Sequence, residues 1–246
     1  MNFNKQAKTY LNNLDIQLKT ANLIFQHLSN IKNIEYKNCI DLGCGPSTFK
    51  HTQKNFGCNI INIDLSKEML KQISYENKRI CADTTMLPLQ DNISDIIISN
   101  LMIQWIKNKN IAFSEMKRVS KPNGIILGST LLQDSLLEIN TTWKKYEPNT
   151  NHTLEFWELK QYLELFNKLK FNKIKYEIGN FINYFDNYYA IMKHFKKNGT
   201  NIKKSNSGLY TKNIINKIDK AYRYNFGTKD NKLPVTYKYL IFQLEK

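Results

Sequence analysis

The stretch Asn38-Cys39-Ile40-Asp41-Leu42-Gly43-Cys44-Gly45-Pro46-Ser47 decides the fold. A short apolar run ends in an acid and passes into a glycine-rich turn, and residues 47–56 then show a helical pattern. Strand, glycine turn and helix in this order bring backbone N–H groups close to a ligand. Gly43 and Gly45 accept backbone angles that are closed to other residues and present no Cβ to block the approach. The stretch therefore predicts a ligand site at the end of a strand.

A second acid follows at the spacing that a nucleoside site requires. Asp64 stands 19 residues after Gly45 and closes a second apolar run, residues 59–63. An acid in this place suits the two hydroxyl groups of a ribose. The glycines alone are weak support, because many strand-to-helix turns carry them for geometry, but Asp41 and Asp64 strengthen the interpretation. The missing Gly-Lys-Ser/Thr excludes a P-loop, and Thr48 replaces the third glycine of a dinucleotide fold.

Length and composition limit the possible classes. The 246 residues fit one α/β domain with an inserted lid, and they contain no run of about 18 apolar residues that would span a membrane. The first residues lack an apolar signal region, so we expect a cytoplasmic protein. The four cysteines form no Cys-x-x-Cys pair, which argues against a zinc site and a disulfide framework. We therefore expect no metal.

The net charge of +15 is concentrated in the second half of the chain. Residues 136–246 hold 20 Lys+Arg and 10 Asp+Glu, a net charge of +10. Such a field favours acidic partners, either nucleic acid or an acidic carrier protein. A coding bias toward lysine and asparagine explains the charge equally well, because the lysines are scattered. A nucleic-acid-binding protein would show clustered basic residues with interleaved aromatic residues, and residues 188–197 are only a faint version of this pattern.

Strand and helix patterns alternate as far as residue 130, which predicts a doubly wound sheet. Beyond the first strand, the pattern predicts strands over 59–63, 79–82, 95–100, 125–130, 173–181 and 235–244. It predicts helices over 3–30, 47–56, 66–75, 108–119, 136–146, 155–170, 188–197 and 209–224, with a mobile polar break over 198–208. The packed face of the first helix is predicted to include Leu11, Leu14, Leu18, Ala21, Phe25 and Leu28.

Polar residues stand at the ends of four consecutive predicted strands: Asp41, Asp64, Asp83 and Asn100. In an open α/β sheet, ligands bind at the carboxyl ends of the strands. Any one of these residues could instead cap a helix or form a turn. The four together indicate a ligand site.

The Asp-Leu-Gly-Cys-Gly form of residues 41–45 resembles motif I of the S-adenosylmethionine-dependent methyltransferases of the seven-stranded, Rossmann-like class. Ser47 stands at the place of their usual third glycine. The resemblance implies an α/β fold with a doubly wound sheet, an antiparallel last strand and a helical lid. It also implies S-adenosylmethionine as the methyl donor, released as S-adenosylhomocysteine.

The same resemblance implies a role for each strand end. The turn from Gly43 to Gly45 lies against the methionine part, Asp64 binds the ribose, Asp83 faces the adenine, and Asn100 lies beside the sulfonium. The implied cofactor-binding residues are Gln6, Tyr10, Asp41, Gly43, Cys44, Gly45, Asp64, Leu65, Met69, Asp83, Thr84, Met86, Asn100 and Leu101.

Motifs from Phe3 to Tyr237 narrow the resemblance. The most selective are Gln104-Trp105, the segment Ser135-Leu136-x-Glu138, and Leu233-Pro234-Val235-Thr236-Tyr237. In this order they are similar to the malonyl-acyl carrier protein O-methyltransferases of biotin synthesis. The resemblance implies methylation of the free carboxyl group of a malonyl thioester, carried on acyl carrier protein or on coenzyme A, at the start of pimeloyl synthesis. The implied catalytic residues are Tyr10, Gln104, Trp105 and His152.

The resemblance also implies an organisation and a partner surface. A single domain over 1–246 comprises an N-terminal helical lid (1–30), a cofactor-binding core (31–134), a sixth strand with helical substrate-lid insertions (135–230) and a final strand (231–246). We expect a monomer that binds neither nucleic acid nor membrane. Carrier proteins of this kind are acidic, so we expect docking residues among Lys193, Lys196, Lys197, Lys203 and Lys204.

Two residues depart from the family pattern. Lys5 stands where an arginine is usual, and Glu155 stands where an arginine would suit a malonyl carboxylate. His152, Lys144 or Lys145 could bind that carboxylate instead, although His152 could also be a solvated loop residue and Trp105 a core residue.

A carboxylate is already ionised at neutral pH and needs no general base, which agrees with the lack of an obvious acid–base pair. The alternative enzyme is another small-molecule or carboxyl methyltransferase of this fold.

Overall fold

The computed structural model describes residues 15–31, 37–46, 58–73, 78–197 and 210–246, and the elements are numbered within these ranges. The α-helices are α1 (Asp15–Ser29), α2 (Lys67–Leu70), α3 (Lys109–Val119), α4 (Leu137–Lys144), α5 (Leu159–Lys168), α6 (Tyr188–Lys197) and α7 (Lys212–Phe226). The strands are β1 (Asn38–Leu42), β2 (Asn59–Asp64), β3 (Lys78–Cys81), β4 (Ser94–Asn100), β5 (Ser120–Leu131), β6 (Lys173–Phe185) and β7 (Leu233–Glu245).

The seven strands form one sheet in the order β3-β2-β1-β4-β5-β7-β6. Strands β1 to β5 pair in parallel, whereas β7 is antiparallel to both of its neighbours, β5 and β6. The predicted fold class, a doubly wound Rossmann-like methyltransferase sheet with an antiparallel last strand, is therefore confirmed. The chain leaves β1 toward β3 and then returns to β4 on the other side of β1. The carboxyl ends of β1 and β4 thus flank the topological switch point, where open α/β sheets bind their ligands.

Helices cover both faces of the sheet because successive strand residues point to opposite faces. Ile96 and Ile98 pack on one face with residues of α1, α4, α6 and α7. Ile97, between them, packs on the other face with residues of α3 and α5. This burial on two sides explains why the central strands are continuous apolar runs. Among the described residues, no helix is long and apolar enough to cross a membrane.

The helix predicted over residues 66–75 ends at Leu70, so the prediction is wrong for residues 71–73, while residues 74–75 lie outside the described residues. Ser66 is the N-cap, as predicted, and its Oγ accepts the N–H of Met69 at 3.2 Å. The carbonyl groups of Leu70 and Ile73 instead accept bonds from the Arg79 guanidinium on β3, at 3.4 and 3.2 Å. This tertiary contact takes acceptors that a longer helix would use, and the chain turns. The predicted helix 47–56 and the break 198–208 lie outside the described residues.

The packed face of α1 also differs from the predicted one. The buried residues are Ile16, Thr20, Ala21, Ile24 and Leu28, whereas Leu18 is 48% exposed. A hydrophobic pattern misses Thr20 because its hydroxyl is polar. Thr20 is nevertheless tolerated in the core because its hydroxyl donates to Asn100 Oδ1 at 2.6 Å and lies 2.9 Å from Ile16 O. Leu11 and Leu14 lie outside the described residues.

Other elements differ from the predictions mainly at their ends. Helix α5 begins at Leu159 rather than at residue 155, because Glu158 and Gln161 form a capping box. Strand β5 begins at Ser120, which pairs with Ser94, rather than at residue 125 as predicted, and residues 121–124 bulge out before Ile125 pairs with Ile96.

Arg118 of α3 fixes the segment that leads from the third strand to the fourth. Its guanidinium donates to Glu115 Oε1 and Oε2 at 2.7 and 2.8 Å, to Asp91 at 2.7 Å, and to the carbonyls of Leu87 and Leu89 at 3.1 and 2.8 Å. The hydrogen bonds from Arg118 are the main reason why the pKa of Glu115 is lowered. A planar donor fork is needed to reach all these acceptors at once.

We predict that Arg118→Lys lowers the free energy of unfolding by about 1–3 kcal/mol, because an ammonium cannot replace the fork. The folded-state pKa of Glu115 is lowered, so its contribution is present above the ordinary glutamate pKa and is lost as the pH falls through the lowered value. Urea unfolding should therefore show a difference from wild type that narrows in acid. Arg79→Lys, which removes bonds to carbonyl groups only, is the control, and its effect should not follow this pH course.

Candidate active site

A cavity of about 670 Å³ opens at the carboxyl ends of the central strands, next to the switch point. Its described walls come from the segments that follow β1, β2, β3 and β4. The lining residues are Gly43, Gly45, Asp64, Leu65, Ser66, Met69, Asp83, Thr84, Thr85, Asn100, Leu101, Met102, Trp105, Ile106, Lys107, Asn108 and Ile111.

The glycine turn leaves room for a ligand. Gly43 and Gly45 have positive φ angles of 68° and 54°, which residues other than glycine rarely adopt. A Cβ on Gly43 would lie 2.2 Å from Met102 Cγ, so glycine is also required there by packing. A Cβ on Gly45 would meet no protein atom within 4 Å and would instead project into open space. The turn therefore leaves its backbone accessible at Gly45, as contact with the predicted methyl donor would require.

Asp64 joins the loops after β1 and β2. Its Oδ2 accepts the N–H of Gly45 at 2.8 Å and its Oδ1 accepts the N–H of Ser66 at 2.7 Å. Burial raises the pKa of the Asp64 carboxyl, and these two backbone bonds oppose the shift. Each carboxylate oxygen can accept a further bond, so the group can still receive the hydroxyls of a ribose.

Asp83 organises the third loop in a similar way. Its Oδ1 accepts the backbone N–H and the hydroxyl of Thr85, at 2.8 and 2.7 Å. This local turn holds Asp83, Thr84 and Thr85 on the cavity wall. It also directs Met86 outward, and the Met86 side chain is 77% exposed.

Asn100 ties the floor of the cavity to α1 and β5. Its Oδ1 accepts hydroxyl protons from Thr20 and Ser129, both at 2.6 Å, and its Nδ2 donates to Gln17 O at 2.9 Å. The next residue, Leu101, has a φ of 50°. The left-handed conformation costs a non-glycine residue about 1–2 kcal/mol. Surrounding contacts must therefore hold Leu101 in place.

The structure brings most of the predicted cofactor-binding residues together. Those that line the cavity are Gly43, Gly45, Asp64, Leu65, Met69, Asp83, Thr84, Asn100 and Leu101. Asp41 and Cys44 are buried and do not line it, and Met86 points to solvent. Gln6 and Tyr10 lie outside the described residues.

The predicted catalytic residues that the structure describes lie in different surroundings, and only one of them lines the cavity. Trp105 is half-buried and lines the cavity, whereas Gln104 is buried beside it and donates from Nε2 to Leu101 O at 2.7 Å. His152 is fully buried, stacked on Trp143 at 4.3 Å between ring centroids, and lies 3.1 Å from Glu147. It is not a solvated histidine, and it is not among the residues that line the cavity.

Sequence reasoning did not identify several residues of the cavity wall. Met102, Ile106, Lys107, Asn108 and Ile111 all lie in the segment after β4 or in the first turns of α3. Asn108 was predicted only as the first residue of a helix, and its Oδ1 accepts the N–H of Ile111 as a helix cap. The available clue was the position of this segment directly after Asn100. Among the described residues, no three His, Cys, Asp or Glu side chains could hold a metal ion together.

Comparison with known proteins agrees with this architecture. A family described as "Methyltransferase domain" matches residues 40–128, the span from β1 to β5. The YcgJ protein of Bacillus subtilis has the same fold, with a TM-score of 0.65 at 15% identity over 92% of this chain and 98% of that one. Phosphoethanolamine N-methyltransferase 2 of Haemonchus contortus, solved with S-adenosyl-L-methionine, has a TM-score of 0.57 at 17% identity over 92% of this chain and 52% of that one.

Curated relatives extend the likeness to nearly the full length. Malonyl-[acyl-carrier protein] O-methyltransferase of Buchnera aphidicola is 32% identical over an alignment of 231 residues that covers 91% of this chain and 89% of that protein. Malonyl-[acyl-carrier protein] O-methyltransferase 2 of Ilyobacter polytropus is 29% identical over 94% of this chain and 90% of its own length. Because the Buchnera protein is 32% identical over 91% of this chain, the chain belongs to the malonyl-acyl carrier protein O-methyltransferase family.

Proposed function

We propose that this protein transfers a methyl group from S-adenosylmethionine to the free carboxyl group of a malonyl thioester on acyl carrier protein. The observation that carries the proposal is the family match, 32% identity over 91% of the chain. The cavity at the switch point supports it, because the loops that line it offer a glycine turn and a carboxylate for a nucleoside. The product is a methyl ester that masks one charge of the acyl group.

The cavity residues fit the donor. When bound, S-adenosylmethionine supplies an electrophilic methyl group on a sulfonium. Asp64 would accept the ribose hydroxyls, and the turn at Gly45 leaves space for the backbone to approach the methionine part. Asp83 and Thr84 would border the adenine, while Asn100 and Leu101 would lie beside the sulfonium.

The acceptor needs alignment rather than activation. A malonyl carboxylate is ionised at neutral pH, so the reaction requires no general base. Correct orientation of two bound reactants can supply a large share of the rate enhancement. Lys107 is the single cation among the described lining residues, and its charge favours an anionic acceptor in the cavity. Glu155, at the position of the family's arginine, is instead engaged by Asn151 Nδ2 at 2.6 Å.

The charge distribution of the helices α4, α6 and α7 supports an acidic carrier as the partner. Helices α4 and α6 follow β5 and β6, and α7 precedes the antiparallel β7, so all three connect to the cavity end of the sheet. Their two acids both make bonds within the fold: Glu138 is 7% exposed and bonds Thr236, and the half-buried Asp219 binds Arg223 and Tyr188 N. Their exposed lysines are Lys144, Lys193, Lys196, Lys197, Lys212, Lys217 and Lys220.

We also propose that the protein is a cytoplasmic monomer that binds neither nucleic acid nor membrane. All four cysteines are free thiols, which is typical of a reducing compartment. Light scattering tests whether the protein is a monomer in solution. The outer face of edge strand β6, where Tyr176, Ile178, Ile182 and Tyr184 are each more than 40% exposed, is the place where a dimer would form.

Mass spectrometry of malonyl-acyl carrier protein incubated with enzyme and S-adenosylmethionine tests the activity. The expected product carries one added methyl group. Acetyl-acyl carrier protein, which lacks the free carboxyl, is the control and should gain none. Methylation of both proteins, or of neither, would contradict the proposed acceptor.

We predict that Asp64→Ala weakens S-adenosylmethionine binding by about 1.5–3 kcal/mol, because it removes a charge-assisted acceptor of the ribose. Calorimetry measures the affinity. The control is Asp95→Ala at the opposite end of the sheet, which removes an acceptor of two other backbone N–H groups, those of Lys37 and Asn38. It should reduce stability and leave the affinity unchanged.

The raised pKa of Asp64 gives the same experiment a second readout. The ribose hydroxyls donate to the ionised carboxylate, so wild-type affinity should fall as the pH is lowered through that pKa. The affinity of Asp64→Ala should not follow this course. Equal affinities of wild type and Asp64→Ala at neutral pH would refute the assignment of the ribose site.

We predict that reversal of Lys196 and Lys197 to Glu raises the KM for malonyl-acyl carrier protein several-fold, with little change in kcat. Surface charges act mainly on encounter with a charged partner and are screened by salt. The KM for malonyl-coenzyme A should change much less, and added salt should imitate the mutation in wild type. Reversal of Lys160 and Lys168 on α5, on the other face of the sheet, is the matched control. Equal effects of the two reversals would rule out docking at α6; Lys203 and Lys204 lie outside the described residues.

A further inference from the structure

We propose that Gln104 is a positioning residue whose buried amide holds Leu101 in its left-handed conformation and thereby fixes the floor of the cavity. The inference rests on the proposed methyl transfer for its activity assay. It assigns to Gln104 a role through the backbone of Leu101 and not through contact with the substrate.

Leu101 is held from both sides. Its φ of 50° belongs to the region that favours glycine, and such a residue persists only where its surroundings over-determine it. Its N–H lies 3.0 Å from Ser129 Oγ and 3.1 Å from Ser129 O on β5. Its carbonyl oxygen accepts a bond from Gln104 Nε2 at 2.7 Å. Both polar groups of this peptide segment are therefore anchored, one by Ser129 and the other by Gln104.

A buried chain of hydrogen bonds orients the Gln104 amide. Gln104 Oε1 accepts the hydroxyl proton of Thr130 at 3.3 Å, and the Thr130 hydroxyl lies 3.1 Å from the hydroxyl of Tyr162. A carbonyl oxygen can only accept, so Gln104 must turn its Nε2 toward Leu101 and its Oε1 toward Thr130. Thr130 then donates to Gln104, and Tyr162 donates to Thr130. Gln104 is 8% exposed, and Thr130 and Tyr162 are fully buried.

The conformation of Leu101 matters because its two neighbours shape the cavity. Asn100, before it, is fixed by Thr20 and Ser129. Met102, after it, packs so closely on the glycine turn that a Cβ on Gly43 would lie 2.2 Å from its Cγ. A change of the Leu101 backbone angles would move one neighbour relative to the other. The Gln104 bond therefore sets the relative placement of two walls of the cavity.

A double-mutant cycle tests this role. Gln104→Met keeps the side-chain length and removes the donor to Leu101, and we expect kcat/KM to fall about tenfold or more, because small misplacements of reacting groups have large effects. Leu101→Gly removes the need for a holding bond, since glycine adopts this φ freely. In the Leu101→Gly background, Gln104→Met should therefore reduce kcat/KM by less than about threefold. The cycle is evaluated as non-additivity between the two sites.

Leu136 offers a matched control. It is a second buried leucine with a positive φ, 60°, and its N–H bonds to Thr236 O at 2.7 Å, with no link to Gln104. In the Leu136→Gly background, Gln104→Met should retain its full effect. If Gln104→Met has the same effect in the wild-type and Leu101→Gly backgrounds, Gln104 does not act through Leu101 and the proposal fails. Relief by Leu136→Gly as well would also overturn it.

Two further measurements keep the test decisive. The same double-mutant cycle is measured on S-adenosylmethionine affinity by calorimetry, which does not depend on the acceptor. If methyl transfer is not detected but the affinities show the expected non-additivity, only the proposed function is contradicted. If circular dichroism shows that Gln104→Met is poorly folded, Thr130→Val replaces it. This nearly isosteric change removes the proton donated to Gln104 Oε1, and its smaller effect should again be relieved by Leu101→Gly; an unrelieved effect would refute the proposal.

Discussion

One carboxylate joins two loops of the cavity wall. Asp64 accepts backbone N–H groups from Gly45 and Ser66, so the loop after β1 and the loop after β2 cannot move independently. The sheet places these loops side by side because β1 pairs with β2 in register up to Leu42 and Ile63. The carbonyl of Ile63 adds to the connection by accepting the N–H of Gly43 at 2.7 Å. A single acid thus acts as a structural link and as a candidate ligand for a ribose.

The other side of the cavity depends on polar side chains buried within the fold. Asn100 links β4 to α1 and β5, and Gln104 links the same segment to β5 and α5. Buried polar groups destabilise a fold unless they are paired, so such networks are tolerated where they fix a unique geometry. Here they surround Leu101, whose backbone angles the chain would not adopt by itself. The floor of the cavity is therefore set by contacts between elements far apart in sequence.

This distinction explains what the sequence could and could not predict. The central strands could be predicted because apolar runs buried on two faces leave a strong pattern, and the place of Asp64 on the cavity wall could be predicted because it stands at a strand end. The conformation of Leu101 and the inward turn of Gln104 were not, because both depend on partners in β5 and α5. His152 shows the same limit: nothing in its local sequence predicts the stack on Trp143. Met86 was predicted at the site, but the turn formed by Asp83 directs it to solvent.

Charge is divided between the interior and the surface in a way that suits the proposed partner. The acids of α4 and α7 form hydrogen bonds within the fold. Glu138 binds Thr236 at the start of β7, and Asp219 accepts the backbone N–H of Tyr188 at the start of α6. The lysines of the same helices have no such internal role and remain exposed. The acids therefore stabilise the layer through these bonds, while the exposed charged residues of α4, α6 and α7 are lysines. A coding bias toward lysine accounts for the number of lysines, but it does not account for acids that are both bonded within the fold.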